Sequence, residues 1–202
     1  MSTAPSDHPL LILVGMPGAG KSIVADHLRR LGWPVVYFGG ITLKELDRRG
    51  LPHSEQNERL VREQLREIHG KGAYAQLSLP EIRSFLLSGP TAIDGLYSWA
   101  EYLCIKASIT NPLYVCTIYT SRALRYARLA TRGVRPLNPT EAEARDIAEI
   151  EKLDKGGPIA VADFTLINDG TENELLVSLE SLLQRIAPGP TQRSGPGTKE
   201  LT

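Results

Sequence analysis

Cysteine is scarce in this 202-residue chain: only Cys104 and Cys116 occur, far apart and in no metal-binding or redox spacing. Cys104 falls in a mixed apolar stretch and Cys116 inside a candidate strand. Both therefore read as core residues of a protein in a reducing compartment. An excess of charge is also missing, with 23 Lys and Arg against 23 Asp and Glu. Zero net charge gives the molecule as a whole no pull toward nucleic acid or a membrane surface, so anion binding has to come from local clusters. No apolar run approaches the length of a membrane span. The opening Met1-Ser2-Thr3-Ala4-Pro5-Ser6-Asp7 is polar and acidic, without a signal-peptide pattern. These absences lead to the expectation of a soluble cytoplasmic protein, long enough for one α/β domain with a sizeable core.

What is present is an eight-residue motif, Gly15-Met16-Pro17-Gly18-Ala19-Gly20-Lys21-Ser22, of the form G-x-x-x-x-G-K-[ST]. Before it, Leu10 to Val14 is a short apolar run suited to a buried parallel strand. After it, Ile23, Val24, Leu28 and Leu31 recur at helical spacing, and Gly32 is placed to end that helix. Gly15, Gly18 and Gly20 let the backbone curl so that the N–H groups of Ala19 and its neighbours point at an anion. The helix that follows adds the positive end of its dipole. Lys21 can reach the β- and γ-phosphates, and the Ser22 hydroxyl can join a Mg²⁺ shell. The motif points to binding of a nucleoside triphosphate, with ATP and Mg²⁺ as the expected cofactors.

Further strands are expected at Val35–Phe38, Thr91–Asp94, Leu113–Tyr119 and Asp163–Ile167. Capping boxes are read at Thr42/Glu45, Ser78/Glu81, Thr140/Glu143 and Thr171/Glu174. They predict helices ending near Gly50, running from Pro80 to Leu87, ending near Lys155-Gly156-Gly157, and following Thr171. A charged helical pattern runs from Ser54 to Ile68. Five strands separated by helices predict a P-loop NTPase fold: a mostly parallel five-stranded sheet, helices on both faces and a helical lid. Residues 1–9 read as a flexible N-terminus, 10–186 as the domain and 187–202 as a disordered tail. Within the domain, an acceptor-binding insertion is expected at about 41–89 and the lid at about 120–157.

Two further constellations carry chemistry. Thr91-Ala92-Ile93-Asp94 ends an apolar strand in a carboxylate, which can hold a Mg²⁺-bound water or orient an acceptor, or can simply cap the turn at Gly95. Arg122, Arg125, Arg128, Arg132 and Arg135 occur with no Asp or Glu from Thr120 to Thr140. The first four fall within about one third of a helix circumference. Such a face suits a lid closing over phosphates, with Arg128 and Arg132 the candidates for direct catalytic contact; it also suits a solvated face paired with Glu141, Glu143 and Glu149. In the insertion, Arg48, Arg62 and Arg66 are candidates for holding an acceptor, and equally for an ordinary charged helix face.

Together these residues resemble the nucleoside-monophosphate-kinase group of P-loop kinases, nearest to the small archaeal dephospho-CoA-kinase-like or adenylate-kinase-related family of uncertain function. The resemblance covers roughly Leu10 to Ile186. It runs through the phosphate loop, Arg48-Arg49-Gly50-Leu51-Pro52, Leu65 to Gly72, Ile93-Asp94-Gly95-Leu96 and Ala162 to Thr171. It implies that Asn168 and Gly170 border the adenine, and that the partner is a small nucleotide-like acceptor. The chain departs from the family pattern in two places. Gly39-Gly40 stand where an aspartate usually follows strand two, and Tyr97 stands near where an arginine follows the strand-three Asp-Gly.

The leading reading is a kinase moving the γ-phosphoryl of ATP to a nucleotide-like acceptor, a nucleoside monophosphate being favoured because its phosphate needs little help from a base. A non-catalytic or weakly active nucleotide-binding regulator and a dephospho-CoA-type hydroxyl kinase stay open. A GTP switch is disfavoured because no Asn-Lys-x-Asp occurs. A mechanical ATPase is disfavoured because Gly95, not a second acid, follows Asp94.

Overall fold

The computed structural model describes residues 7–133 and 136–187. Arg135 of the arginine run and residues 188–202 of the expected tail lie outside them.

β1 (Leu10–Val14) is buried along its whole length and forms the centre of the sheet. Its side chains alternate between two cores. Leu10, Ile12 and Val14 face one side; Leu11 and Leu13 face the other. Parallel pairing on both flanks explains why the run is uniformly apolar rather than alternating. The strands β1, β2 (Val35–Tyr37), β3 (Thr91–Asp94), β4 (Leu113–Tyr119) and β5 (Phe164–Ile167) all run parallel, in the order β2-β3-β1-β4-β5. Strand register matters for the site: Leu13 pairs with Asp94, and Asp94 with Tyr37. The phosphate loop, Asp94 and Tyr37 therefore leave the sheet at the same carboxyl edge.

One face is covered by α1 (Lys21–Arg30) and α9 (Glu172–Ile186), with Val24, Leu28, Leu175, Leu179 and Leu182 packed on Leu11, Leu13 and Cys116. Cys116 is fully buried, and burial pushes its thiol up to about 12. Cys104 is only partly buried, at the edge of the other core. α9 begins with the expected capping box: the Thr171 hydroxyl accepts from the Glu174 N–H, and the Glu174 carboxylate accepts from the Thr171 N–H.

The opposite face is covered by α2 (Gly39–Arg49), α3 (Glu55–His69), α4 (Ala73–Leu86) and α5 (Trp99–Ser108). Four sequence expectations are corrected here. α2 starts at Gly39, so Thr42 is no cap; its hydroxyl is buried and 2.7 Å from the Tyr74 hydroxyl, while Glu45 pairs with Arg48 and Arg49. α4 runs through Pro80 from a start at Ala73, and Ser78 lies buried inside it. A mid-helix proline costs roughly 3 kcal/mol, which burial of Tyr74, Ile82 and Leu86 on the sheet offsets at about 1.5–3 kcal/mol per large apolar side chain. α5 was not expected, although Ser98 and Glu101 form a complete capping box at its start. α7 (Pro139–Leu153) is capped by Asn138 and Glu141, two residues earlier than Thr140 and Glu143, with Pro139 in the first turn.

α6 (Arg122–Thr131) follows β4, and α7 is followed by a short α8 (Gly156–Ala160). Of the expected flexible N-terminus, His8 and Pro9 are tied down: the His8 carbonyl accepts from Asn111 Nδ2 and the Pro9 carbonyl from the Thr91 N–H. Among the described residues, no helix is long and apolar enough to cross a membrane.

Candidate functional site

The phosphate loop connects β1 to α1 and is held both by side chains from neighbouring elements and by its own Lys21. Gly15 has φ +144°, and a Cβ there would sit 2.5 Å from the Ile118 carbonyl. Gly20 has φ +97°, and a Cβ there would collide with the Asn168 amide. Both positions therefore require glycine on conformation and on space. The Asn168 side chain donates to the Ala19 carbonyl at 2.8 Å, and the Thr120 hydroxyl donates to the same oxygen at 3.0 Å. Pro17 is tied to α6, because Arg125 donates to its carbonyl at 3.1 Å. Lys21 folds back along the loop, its Nζ 2.7 Å from the Gly15 carbonyl and 3.2 Å from that of Met16.

A cleft of about 500 Å³ opens over the loop. Lys21, Ser22, Asp94, Arg128 and Arg132 all line it. Gly18 and Gly20 form part of its floor, with Tyr37, Gly95 and Tyr97 on the side of β2 and β3. Burial pushes Lys21 down to about 7, helped by the nearby Lys155 cation, while Glu149 and Asp94 act the other way. Asp94 is raised above the usual carboxylate range by burial, against the attraction of Lys21. The Ser22 hydroxyl and Asp94 carboxylate both line the cleft and offer it two hard oxygen donors. Such a pair suits a cation that takes its remaining ligands from phosphate oxygens and water. Among the described residues, no cluster of three or more His, Cys, Asp or Glu forms a metal cage.

The arginine run does not act as one face. Arg125 is buried, donating to both carboxylate oxygens of Asp146 at 3.0 and 2.6 Å. It is a clamp between loop, α6 and α7. Arg122 is exposed, 3.7 Å from Glu143. Arg128 donates to the Asn168 carbonyl at 2.9 Å while bordering the cleft. The structure thus divides a helical stripe into a clamp, a solvated pair and two cleft residues.

The remaining candidates sit away from the cleft. Asn168 is buried behind the loop with its amide committed to Ala19, and a Cβ at Gly170 would collide with the Glu174 carboxylate of the α9 cap. Neither residue lines the cleft wall. Arg48 pairs with Glu45, and Arg62 with Glu55 and Glu58. Arg66 lies over the Tyr74 ring, 5.4 Å from its centroid. These three arginines are held by the insertion helices themselves.

Three charged residues at the cleft lacked a distinguishing sequence signal: Arg145 and Glu149 on α7, and Lys155 beyond its end. In the sequence, Glu149 reads only as a possible partner of the arginines, and Lys155 only as a helix stop beside Gly156-Gly157. Lys155 is 2% exposed, pairs with the Glu149 carboxylate and lies 5.3 Å from the Tyr97 ring centroid. Tyr97 is partly buried, and burial beside Tyr37 and Asp94 raises its phenol well above the ordinary value. Lys21, Arg128, Arg132, Arg145 and Lys155 outnumber Asp94 and Glu149 around the cleft. That imbalance suits a ligand carrying several negative charges.

No family model matches the chain. It is 33% identical over 184 residues to the UPF0200 protein of Thermococcus gammatolerans, covering 89% of this chain and 96% of the relative. It is 32% identical over 181 residues to the UPF0200 protein of Pyrococcus horikoshii, covering 88% and 97%. With the UPF0200 protein of Hyperthermus butylicus the identity is 33% over 183 residues, covering 89% and 96%. Among solved structures, TT1252 from Thermus thermophilus superposes with a TM-score of 0.56 at 20% identity, over 88% of this chain and 98% of that one. Shikimate kinase from Bacteroides thetaiotaomicron superposes with a TM-score of 0.55 at 13% identity, over 88% and 97%. The fold is the α/β P-loop NTPase fold that these two structures share.

Proposed function

The chain belongs to the UPF0200 family, a name that states no reaction, and from the geometry of the cleft we propose that it is an ATP-dependent small-molecule kinase. It transfers the γ-phosphoryl group to a nucleotide-like acceptor, with a nucleoside monophosphate as the favoured class. The observation that carries this reading is the cleft itself: Lys21 and Asp94 line it above the phosphate loop, and Arg128, Arg132, Arg145 and Lys155 border the same space.

In this mechanism the loop amides and Lys21 hold the β- and γ-phosphates. Ser22 and Asp94 would hold Mg²⁺ with the phosphate oxygens; when bound, the ion neutralises charge on them. Arg128 and Arg132 stabilise charge on the transferring group. Asn168 and Thr120 act behind the loop, holding the Ala19 carbonyl so that the amides keep their direction. A phosphate acceptor is already anionic near neutral pH, so transfer needs positioning more than a base. That fits Gly39-Gly40, which leave the end of β2 without a carboxylate. The segment from about 120 to 157 serves as the lid, and the helices between 41 and 89 border the acceptor side. In this reading the partner is a small nucleotide-like solute met in the cytoplasm.

A nucleotide-binding regulator is the second reading. The Tyr37 and Tyr97 rings occupy the acceptor-side wall, and Lys155 is already paired there. ADP release measured across nucleoside monophosphates, nucleosides and dephospho-CoA separates the readings. Release that needs a phosphate-bearing acceptor, and that is lost in Lys21→Ala, supports the nucleotide kinase. Release only with dephospho-CoA or a nucleoside supports a hydroxyl kinase. Equal release without acceptor supports an ATPase, and nucleotide binding without release supports the regulator.

A further inference from the structure

The join between α7 and α8 delivers one cation to the cleft. Asp154 adopts φ +52°, the only left-handed non-glycine conformation among the described residues. Asp is among the few non-glycine residues that tolerate this conformation, and here it caps the end of α7. Its effect is to turn the chain so that Lys155 enters the cleft wall. Beyond it, Gly157 packs so closely on Trp99 that a Cβ would lie 2.7 Å from the ring. A buried lysine has to find an anion, and two lysines lie here: Lys155 and Lys21 are near enough to oppose each other's charge. Glu149 answers Lys155, and it has a second partner, the Arg145 Nε at 3.3 Å.

Resting on the proposed triphosphate site, we infer that Glu149 is a stand-in anion: a phosphate group of the bound nucleotide or acceptor displaces it from Lys155, which becomes a phosphate-binding residue of the cleft. On exchange Glu149 keeps Arg145, so its carboxylate is not left without a cation, and Lys155 trades one oxygen anion for another. No covalent bond changes. The exchange ties anion binding to the position of α7, because Glu149 is held on that helix and Lys155 at its end. It also keeps Lys155 neutralised beside Lys21 when no phosphate is bound, which limits the like-charge cost of an open cleft.

The test uses inorganic triphosphate without Mg²⁺, titrated into the full chain by calorimetry, with melting curves as the check on folding. Glu149→Gln should bind triphosphate on the order of tenfold more tightly, since a competing charge-assisted contact is gone. Lys155→Met should bind it on the order of tenfold more weakly. In the Lys155→Met background, Glu149→Gln should change affinity little, because the exchange partner is missing. A static structural pair gives the opposite pattern: lower melting temperatures with wild-type affinity in both variants, which overturns the inference. If Lys155→Met does not fold, unchanged or weaker binding in folded Glu149→Gln overturns it alone. Triphosphate binding that follows the expected pattern in a protein that releases no ADP with any acceptor leaves the exchange standing and removes the kinase reading. A wild-type chain that binds no triphosphate removes both.

Discussion

Replacing Arg125 tests the division of the arginine run most directly. Its guanidinium makes a two-pronged contact with Asp146 and a third bond to the Pro17 carbonyl, and the two side chains are only 8% and 10% exposed. Arg125→Met keeps much of the stem but leaves Asp146 with the Tyr126 hydroxyl, at 3.3 Å, as its remaining partner on that side. Breaking one half of a buried ion pair costs about 3–5 kcal/mol, and the lost bond to the loop adds about 1 kcal/mol. The Tyr126 contact and residual solvent access pull the sum down, so the expected loss is about 3–4 kcal/mol. For a chain of this size that lowers the melting temperature by roughly 6–16 °C. Urea denaturation of Arg125→Met, Asp146→Asn and the double variant should show strong coupling, the double costing clearly less than the two singles added. Arg122→Met, which removes an exposed pair, should cost under about 1 kcal/mol. If Arg125→Met lost less than about 1 kcal/mol and impaired only turnover, the clamp assignment would be refuted and Arg125 would return to the lid face.

Two further outcomes follow from the buried carboxylates. Burial pushes Glu101 up to about 7, outweighing its bonds from the Tyr97 and Ser98 N–H groups. The folded state then holds a proton that the unfolded chain loses from about pH 4.5. Stability falls as pH rises from about 4.5 to about 7 and levels off above, so between pH 5 and 8 this group removes about 2–3 kcal/mol. Glu101→Gln should lose that much less stability over the same interval in urea titrations; parallel slopes for the two proteins would show that Glu101 does not carry it. Asp94→Asn should lower Mg²⁺-dependent turnover by about a hundredfold while calorimetric nucleotide affinity changes only a few-fold, because its carboxylate acts on charge in the transition state. Normal turnover in that variant would make Asp94 a structural cap.

Where the relevant interactions are local, the sequence is a good guide. The phosphate loop is legible because eight adjacent residues carry its backbone geometry, and β1 because five apolar residues in a row suit a strand buried on both faces. Thr171 with Glu174 works as a cap because both partners lie within one turn. The same rule misleads at Thr42 and Glu45, where Gly39 has already begun the helix and Tyr74, distant in sequence, takes the hydroxyl. It misleads at Ser78 because burial of the α4 face carries the helix through Pro80. At Ser98 and Glu101 the local rule holds, and a complete capping box opens α5.

The sequence by itself determined the glycine-rich loop after the first strand, the parallel α/β sheet behind it and the acid at the end of the third strand. Only the tertiary structure decided which charges share the cleft. Helical spacing places Arg122, Arg125, Arg128 and Arg132 on one stripe, yet Asp146 on α7 withdraws Arg125 from it. Lys155 looks like any lysine after a helix until the left-handed turn at Asp154 buries it against Glu149. Spacing along a chain specifies direction around one element. Whether a charge meets solvent, a carboxylate or a phosphate depends on which other element lies across from it, and long-range packing sets that.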